Sequence, residues 1–343
     1  MFTGALRSVA DYTAATRISA HRAPRRIAAD PARRCIRGSR AERVVAPGSV
    51  RAVSRSRVVA VLALGAALLL SGCTSSDDSP APSAGPTRAS TAPTPAPDGP
   101  RYVALGDSFT AGPGIVPIEK ESGLCIRSLK NYPRLVAASV DATTFTDVSC
   151  SGATTDDVLE SGLNPAQLDA VSPDTGLVTI GIGGNDSGLF AALSRACTTD
   201  STSCSTYLRD TLPSVLSSTS ARVVSTLRAV EDKAPDADVV LVGYLRIAPE
   251  SGTCTELGGS AFDAAGVAEG ERSLDATLAA AARTAGATFV SMSAASKGHD
   301  ACAGDDAWTN GLQPAEDDGI TLHPRESGMK AVATQVEKAV AAL

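Results

Sequence analysis

Ser108 stands at the tip of an abrupt turn: Tyr102-Val-Ala-Leu105 is an apolar run, and Gly106-Asp107-Ser108 breaks it. Such a pattern predicts a strand running into a tight turn. In open α/β sheets, ligands bind beyond the carboxyl ends of strands. A serine in that place is either a nucleophile or the cap of the next helix, and the turn by itself leaves both readings open. Serine becomes nucleophilic when a base takes its proton, most often a histidine. Residues 101–343 contain two, His299 and His323. His323 lies in Gly319-Ile-Thr-Leu-His-Pro324, where a strand-to-helix loop would carry it over the sheet edge, and Pro324 suits the start of the final helix. His299 lies in Gly298-His-Asp-Ala-Cys302, inside a cysteine-bearing loop. His323 is the better candidate.

Acyl transfer also needs donors aimed at the oxyanion. Gly152, in Cys150-Ser-Gly-Ala-Thr-Thr155, can offer a bare backbone N–H, and Asn185, in Ile180-Gly-Ile-Gly-Gly-Asn-Asp-Ser187, a side-chain amide. The glycine run lacks the lysine of a P-loop and the spacing of a dinucleotide fingerprint, so a nucleotide site is not indicated. Asp107 and Asp186 read as braces for their turns. Trp308 either lines a substrate pocket or packs a loop.

These residues must be positioned by a framework. Five β-type runs, Tyr102–Leu105, Thr143–Val148, Leu177–Ile182, Asp238–Val242 and Thr288–Ser291, alternate with helical patterns. Helices are predicted over Tyr132–Val140, Leu212–Ala234, Glu269–Ala285 and Arg325–Leu343. Alternation of this kind gives a parallel sheet covered on both faces, a three-layer α/β/α sandwich with about five strands. Segments 115–130, 196–206, 250–262 and 298–312 read as Gly-, Ser-, Thr- and Asp-rich loops.

The first hundred residues read differently. Residues 1–57 hold thirteen arginines against Asp11, Asp30 and Glu42, and Val58–Leu70 is a short apolar run. Thirteen apolar residues are too few to span a bilayer comfortably, and the arrangement reads as an export signal. Its Leu70-Ser71-Gly72-Cys73 ending resembles a bacterial lipobox, which would make Cys73 a lipidated mature N-terminus; a plain secretory signal cut nearby is the alternative. Translation is expected to start near Val50 or Val53, so that 1–49 would not be made. Residues 74–100 are almost entirely Ser, Thr, Pro, Ala, Gly and Asp, and read as a disordered tether. The folded domain is therefore 101–343.

Removing the thirteen basic and three acidic residues before Cys73 from 31 and 37 leaves 18 against 34, a net charge of −16. Such a surface excludes nucleic acid as a natural partner and disfavours polyanionic substrates. Six cysteines remain after Cys35 and Cys73, an even number that suits disulfides in an exported protein. Six cysteines permit 15 pairings. Pairing of neighbours in sequence is expected: Cys125–Cys150, Cys197–Cys204 and Cys254–Cys302. With no C-x-x-C pair, no metal is called for.

In order along the chain, Gly-Asp-Ser108, Ser-Gly152-Ala-Thr-Thr, Gly-Gly-Asn185-Asp and Leu-His323-Pro resemble the motifs of the SGNH (GDSL) hydrolases. The resemblance covers 101–343 and extends to secreted actinobacterial esterases and lipases with three consecutive disulfides. It implies a flavodoxin-like sandwich, Ser108 as nucleophile, His323 as base, and an oxyanion hole of Ser108 N–H, Gly152 N–H and Asn185. It implies ester hydrolysis through an acyl-enzyme without a cofactor, by a monomer whose membrane contact is its anchor. A polysaccharide O-deacetylase and a catalytically inactive surface binder are the alternatives. One position departs from the motif: Ile320 stands where many members place Asp, three residues before the histidine. The Ile320 carbonyl is expected to orient His323, with Asp318 as the alternative. The few aromatics mark no lid or interfacial patch.

Overall fold

The computed structural model describes residues 99–343. The readings made on the Arg-rich segment, the apolar run, Cys73 and nearly all of the tether lie outside the described residues. Among the described residues, five strands form one parallel sheet: β1 (Arg101–Gly106), β2 (Thr144–Asp147), β3 (Leu177–Gly181), β4 (Asp238–Val242) and β5 (Thr288–Val290), in the order β2-β1-β3-β4-β5. Register is tight at the centre, where Gly106 of β1 faces Gly181 of β3. The order reverses between β1 and β3, and that switch point is where open sheets of this topology hold their ligands.

Side chains alternate across the strands. Val103, Leu105, Val178, Ile180 and Leu241 face one layer of helices, chiefly α6 (Leu212–Lys233) and α7 (Ala264–Ala285), through Val223, Leu227, Val230, Leu274 and Leu278. Tyr102, Ala104, Leu177, Val240, Val242 and Val290 face the other, where Val136 belongs to α2 (Tyr132–Ser139), Met292 to the short α8 (Met292–Ala295), and Met329, Val332 and Val336 to α9 (Glu326–Val340). Burial of each such aliphatic side chain contributes about 1.5–3 kcal/mol. The three-layer sandwich read from the sequence is present, with boundaries mostly within one or two residues; α7 begins five residues earlier than predicted.

One segment departs from expectation. The 196–206 stretch is helical, not a loop: α4 (Leu189–Thr199) is followed at once by α5 (Ser201–Thr206). The extended Asp200 separates them and caps α5 by accepting from Ser203 N–H at 2.8 Å. Polar composition mimicked a loop, while the cap and the burial of Leu193, Cys197 and Cys204 in a third small core selected helix. The disulfides are Cys125–Cys150, Cys197–Cys204 and Cys254–Cys302, pairing neighbours in sequence.

Candidate active site

Gly106 ends β1 with φ +146°, and a β-carbon there would run into the Thr110 side chain and the Gly181 carbonyl. Only glycine lets the chain turn this close to β3. The turn leads into a single helical turn, α1 (Ser108–Ala111), capped by Asp107, which accepts from Phe109 N–H at 2.9 Å. The turn is a capped helix start, and the cap is Asp107 rather than Ser108. Ser108 is free for another partner, and its hydroxyl lies 2.8 Å from His323 Nε2.

His323 is held from its backbone. Its carbonyl accepts from Asn310 N–H at 2.9 Å, and residues 309 and 324 form an antiparallel bridge. The ring Nδ1 lies 2.8 Å from the Thr321 carbonyl. Neither expected orienting group occupies that place. The Ile320 carbonyl accepts from the His323 backbone N–H at 3.1 Å instead. The Asp318 carboxylate accepts from Glu326 N–H and faces Arg325 Nε at 3.2 Å, so it serves the start of α9. The physical reason is Leu322, whose φ of +57° folds the chain so that the Thr321 carbonyl faces the ring two residues on. Leu322 is held there by its N–H bond to Gly311 O (3.1 Å). A carbonyl partner fixes the tautomer, protonated at Nδ1 and accepting at Nε2.

Phe109 lies with its ring centroid 5.2 Å from that of His323, and Phe190 and Tyr244 pack on Phe109 in turn. Burial lowers the His323 pKa below its ordinary 6.5, partly offset by the Thr321 carbonyl. The imidazole is therefore neutral, and able to accept a proton, at neutral pH.

A second network joins the loops. Tyr244 O–H donates to Asp107 Oδ2 at 2.6 Å and accepts from Gly184 N–H at 2.7 Å, linking the turn after β1 to the glycine run after β3. Burial pushes the Asp107 pKa up to about 7. Asp186 accepts from the Thr155 N–H (2.9 Å) and hydroxyl (2.8 Å), at the start of α3 (Thr155–Leu159). Both aspartates brace turns, as their sequence context suggests. Asn185 donates one amide hydrogen to Ala153 O at 3.0 Å, leaving the other free to donate. Gly152, with φ +83°, has no hydrogen-bond partner for its N–H among the described residues. The Asn185–Ala153 bond thus ties two of the motif segments together, while Ser108 and His323 touch directly.

His299 lies elsewhere: its Nδ1 is 2.8 Å from the Asp306 carbonyl and its ring stacks on Trp308. Trp308 packs a loop rather than reaching Ser108. Sequence reasoning missed Tyr244, Phe109, Phe190 and Thr321. Tyr244 follows β4 almost at once, at the carboxyl edge where sites are built, so its position was a usable signal.

Residues 104–331 match the GDSL-like Lipase/Acylhydrolase family. The chain belongs to this family. Lipase 1 of Streptomyces coelicolor is 34% identical over 227 residues, covering 66% of this chain and 81% of that protein. A lipase of Streptomyces rimosus is 34% identical over 235 residues, with the same two coverages. Among solved structures, a phospholipase A1 from Streptomyces albidoflavus aligns with a TM-score of 0.60 at 29% identity, over 70% of this chain and 99% of that one. An extracellular lipase from Streptomyces rimosus aligns at 0.59 and 32%, over 69% and 98%. This GDSL hydrolase is a carboxylic ester hydrolase.

Proposed function

We propose that Ser108 is the nucleophile of this esterase or lipase and His323 its general base, working as a dyad oriented by the Thr321 carbonyl. The supporting observation is the 2.8 Å contact between Ser108 Oγ and His323 Nε2, made by residues 215 positions apart. As Ser108 Oγ bonds to the ester carbon, its proton passes to Nε2 and the carbonyl π electrons move to oxygen. Ser108 N–H, Gly152 N–H and the free Asn185 N–H receive that oxyanion. Collapse breaks the bond to the alkoxy oxygen, which takes the proton from His323 and leaves as alcohol. Water then repeats the sequence on the acyl-serine, releasing the acid and restoring both residues.

Wild-type enzyme should hydrolyse p-nitrophenyl acetate and Ser108→Ala should not; equal rates would sink the serine mechanism. Export and lipid attachment at Cys73 are part of the same reading, supported by the disulfides and by the Leu-Ser-Gly-Cys73 sequence. Fatty-acid labelling in cells should be lost in Cys73→Ser, and labelling that persists would refute the anchor.

A further inference from the structure

Asn310 is buried, 4% exposed, at the foot of the loop that carries His323. Its backbone N–H donates to the His323 carbonyl at 2.9 Å. Its side chain reaches the same loop at two further points: Nδ2 donates to the Asp318 carbonyl at 2.7 Å, and Oδ1 accepts from Ala315 N–H at 3.2 Å. These partners, one an acceptor and one a donor, fix which way the amide faces. The close approach depends on Gly319, where a β-carbon would run into Asn310 Nδ2 and the Pro324 carbonyl. Asn310 is tied to the sheet edge by its neighbour: Thr309 Oγ1 donates at 2.8 Å to the carbonyl of Arg246, just beyond β4.

The loop needs such a hold. Residues 311–323 contain no helix or strand, so discrete bonds and not a ladder set their shape. The chain turns there at two residues other than glycine with positive φ, Asp317 at +59° and Leu322 at +57°. Residues with a β-carbon rarely adopt such angles, which persist where the surroundings over-determine them. Each corner is pinned from one of two adjacent positions. The Asn310 amide holds the Asp318 carbonyl beside the first corner, and the Gly311 carbonyl accepts from Leu322 N–H at 3.1 Å in the second. Between the corners lies Thr321, whose carbonyl faces His323 Nδ1. Asn310 thus sets the spacing of the loop while, among the described residues, its own bonds go to neither Ser108 nor the imidazole.

We propose that Asn310 is a positioning residue for ester hydrolysis: its side-chain amide holds the loop so that the Thr321 carbonyl aims His323 Nε2 at Ser108. The proposal rests on the reading of His323 as the general base. Displacement of a catalytic group by about 1 Å costs on the order of 10²-fold in rate. Two variants test it. Asn310→Ala removes both side-chain bonds; Asn310→Asp keeps the shape and the acceptor for Ala315 N–H but sets an oxygen against the Asp318 carbonyl. Each should lower kcat on p-nitrophenyl acetate at least tenfold with KM within twofold. Ring-nitrogen NMR shifts of histidine-labelled protein give a readout that loss of stability alone would not move. His323, assigned by its absence in His323→Ala, should be the Nδ1–H tautomer in the wild type and a mixture of tautomers in the variants, while His299 keeps its shifts. A fall in kcat of less than tenfold overturns the proposal, as does a loss carried by KM or a His323 tautomer unchanged while kcat falls. Asn310→Asp decides if Asn310→Ala does not fold. Ser108→Ala and His323→Ala, run alongside, keep the two readings apart. Hydrolysis that survives them defeats the dyad, whereas hydrolysis abolished in them and undiminished in the Asn310 variants defeats the positioning role alone.

Discussion

The two histidines of the domain share more than their residue type. Each has its Nδ1 2.8 Å from a backbone carbonyl, Thr321 for His323 and Asp306 for His299. Each lies against an aromatic ring: His323 tilts on Phe109, and His299 stacks on Trp308 with centroids 4.0 Å apart. They differ at the other nitrogen. His323 Nε2 faces the Ser108 hydroxyl, whereas His299 Nε2 has no protein partner among the described residues. A tautomer held by a carbonyl and an aromatic neighbour are thus ordinary ways to seat a histidine in a loop. The proton-transfer role proposed for His323 is supported by the hydroxyl at its far nitrogen, 2.8 Å away, with Phe109 against the ring.

The comparison can be broken most severely by His323→Ala, which should reduce kcat on p-nitrophenyl acetate at least 10³-fold, as loss of a general base does (typically about 10²–10⁴). A loss below tenfold would remove the distinction between the two histidines. Next, Asp318→Asn should cost less than tenfold in kcat. Loss of a true triad carboxylate costs about 10⁴, and a loss of that order would show that the carboxylate leaves α9 during turnover. The pH profile sharpens the contrast further. The base must be neutral to act, and burial places the His323 pKa below 6.5. Activity therefore rises with pH through that lowered value, and the acid limb of kcat/KM should have its midpoint below 6.5; a midpoint above it would contradict the desolvated setting. The smallest effect belongs to His299→Ala: kcat should stay within twofold, while loss of the stack on Trp308 lowers stability by about 1 kcal/mol in denaturant titration. A large fall in kcat with stability intact would give His299 a role in the reaction.

Much of this was legible in advance. The central strands β1 and β3 stand out because buried parallel strands are near-continuous apolar runs, whereas the edge strand β2, Thr-Phe-Thr-Asp, is half exposed and is marked by β-branched and aromatic residues. The disulfide pairs followed from proximity in sequence. The helices at 189–206 were not legible, because Ser, Thr and Asp mark caps and loops alike until burial of Leu193 and Cys197 decides between them. The orienting group of His323 was legible in kind but not in identity. A backbone carbonyl was expected, yet which carbonyl turns on the positive φ of Leu322, and leucine carries no sign of a left-handed conformation. Tyr244 was passed over because a single tyrosine has no pattern, although its hydroxyl joins the turns after β1 and β3.

The sequence by itself determined the alternation of strands and helices, the motif residues Ser108, Gly152, Asn185 and His323, and the family to which they belong. These are local properties, written in residue type and spacing. Tertiary structure alone decided that Ser108 and His323 meet at 2.8 Å, and that Thr321 and not Ile320 or Asp318 holds the ring. Such contacts join segments far apart in the chain or hang on one backbone angle. They exist only once the sheet has brought the loops after β1, β2 and β3, and the segment between β5 and α9, to a common edge.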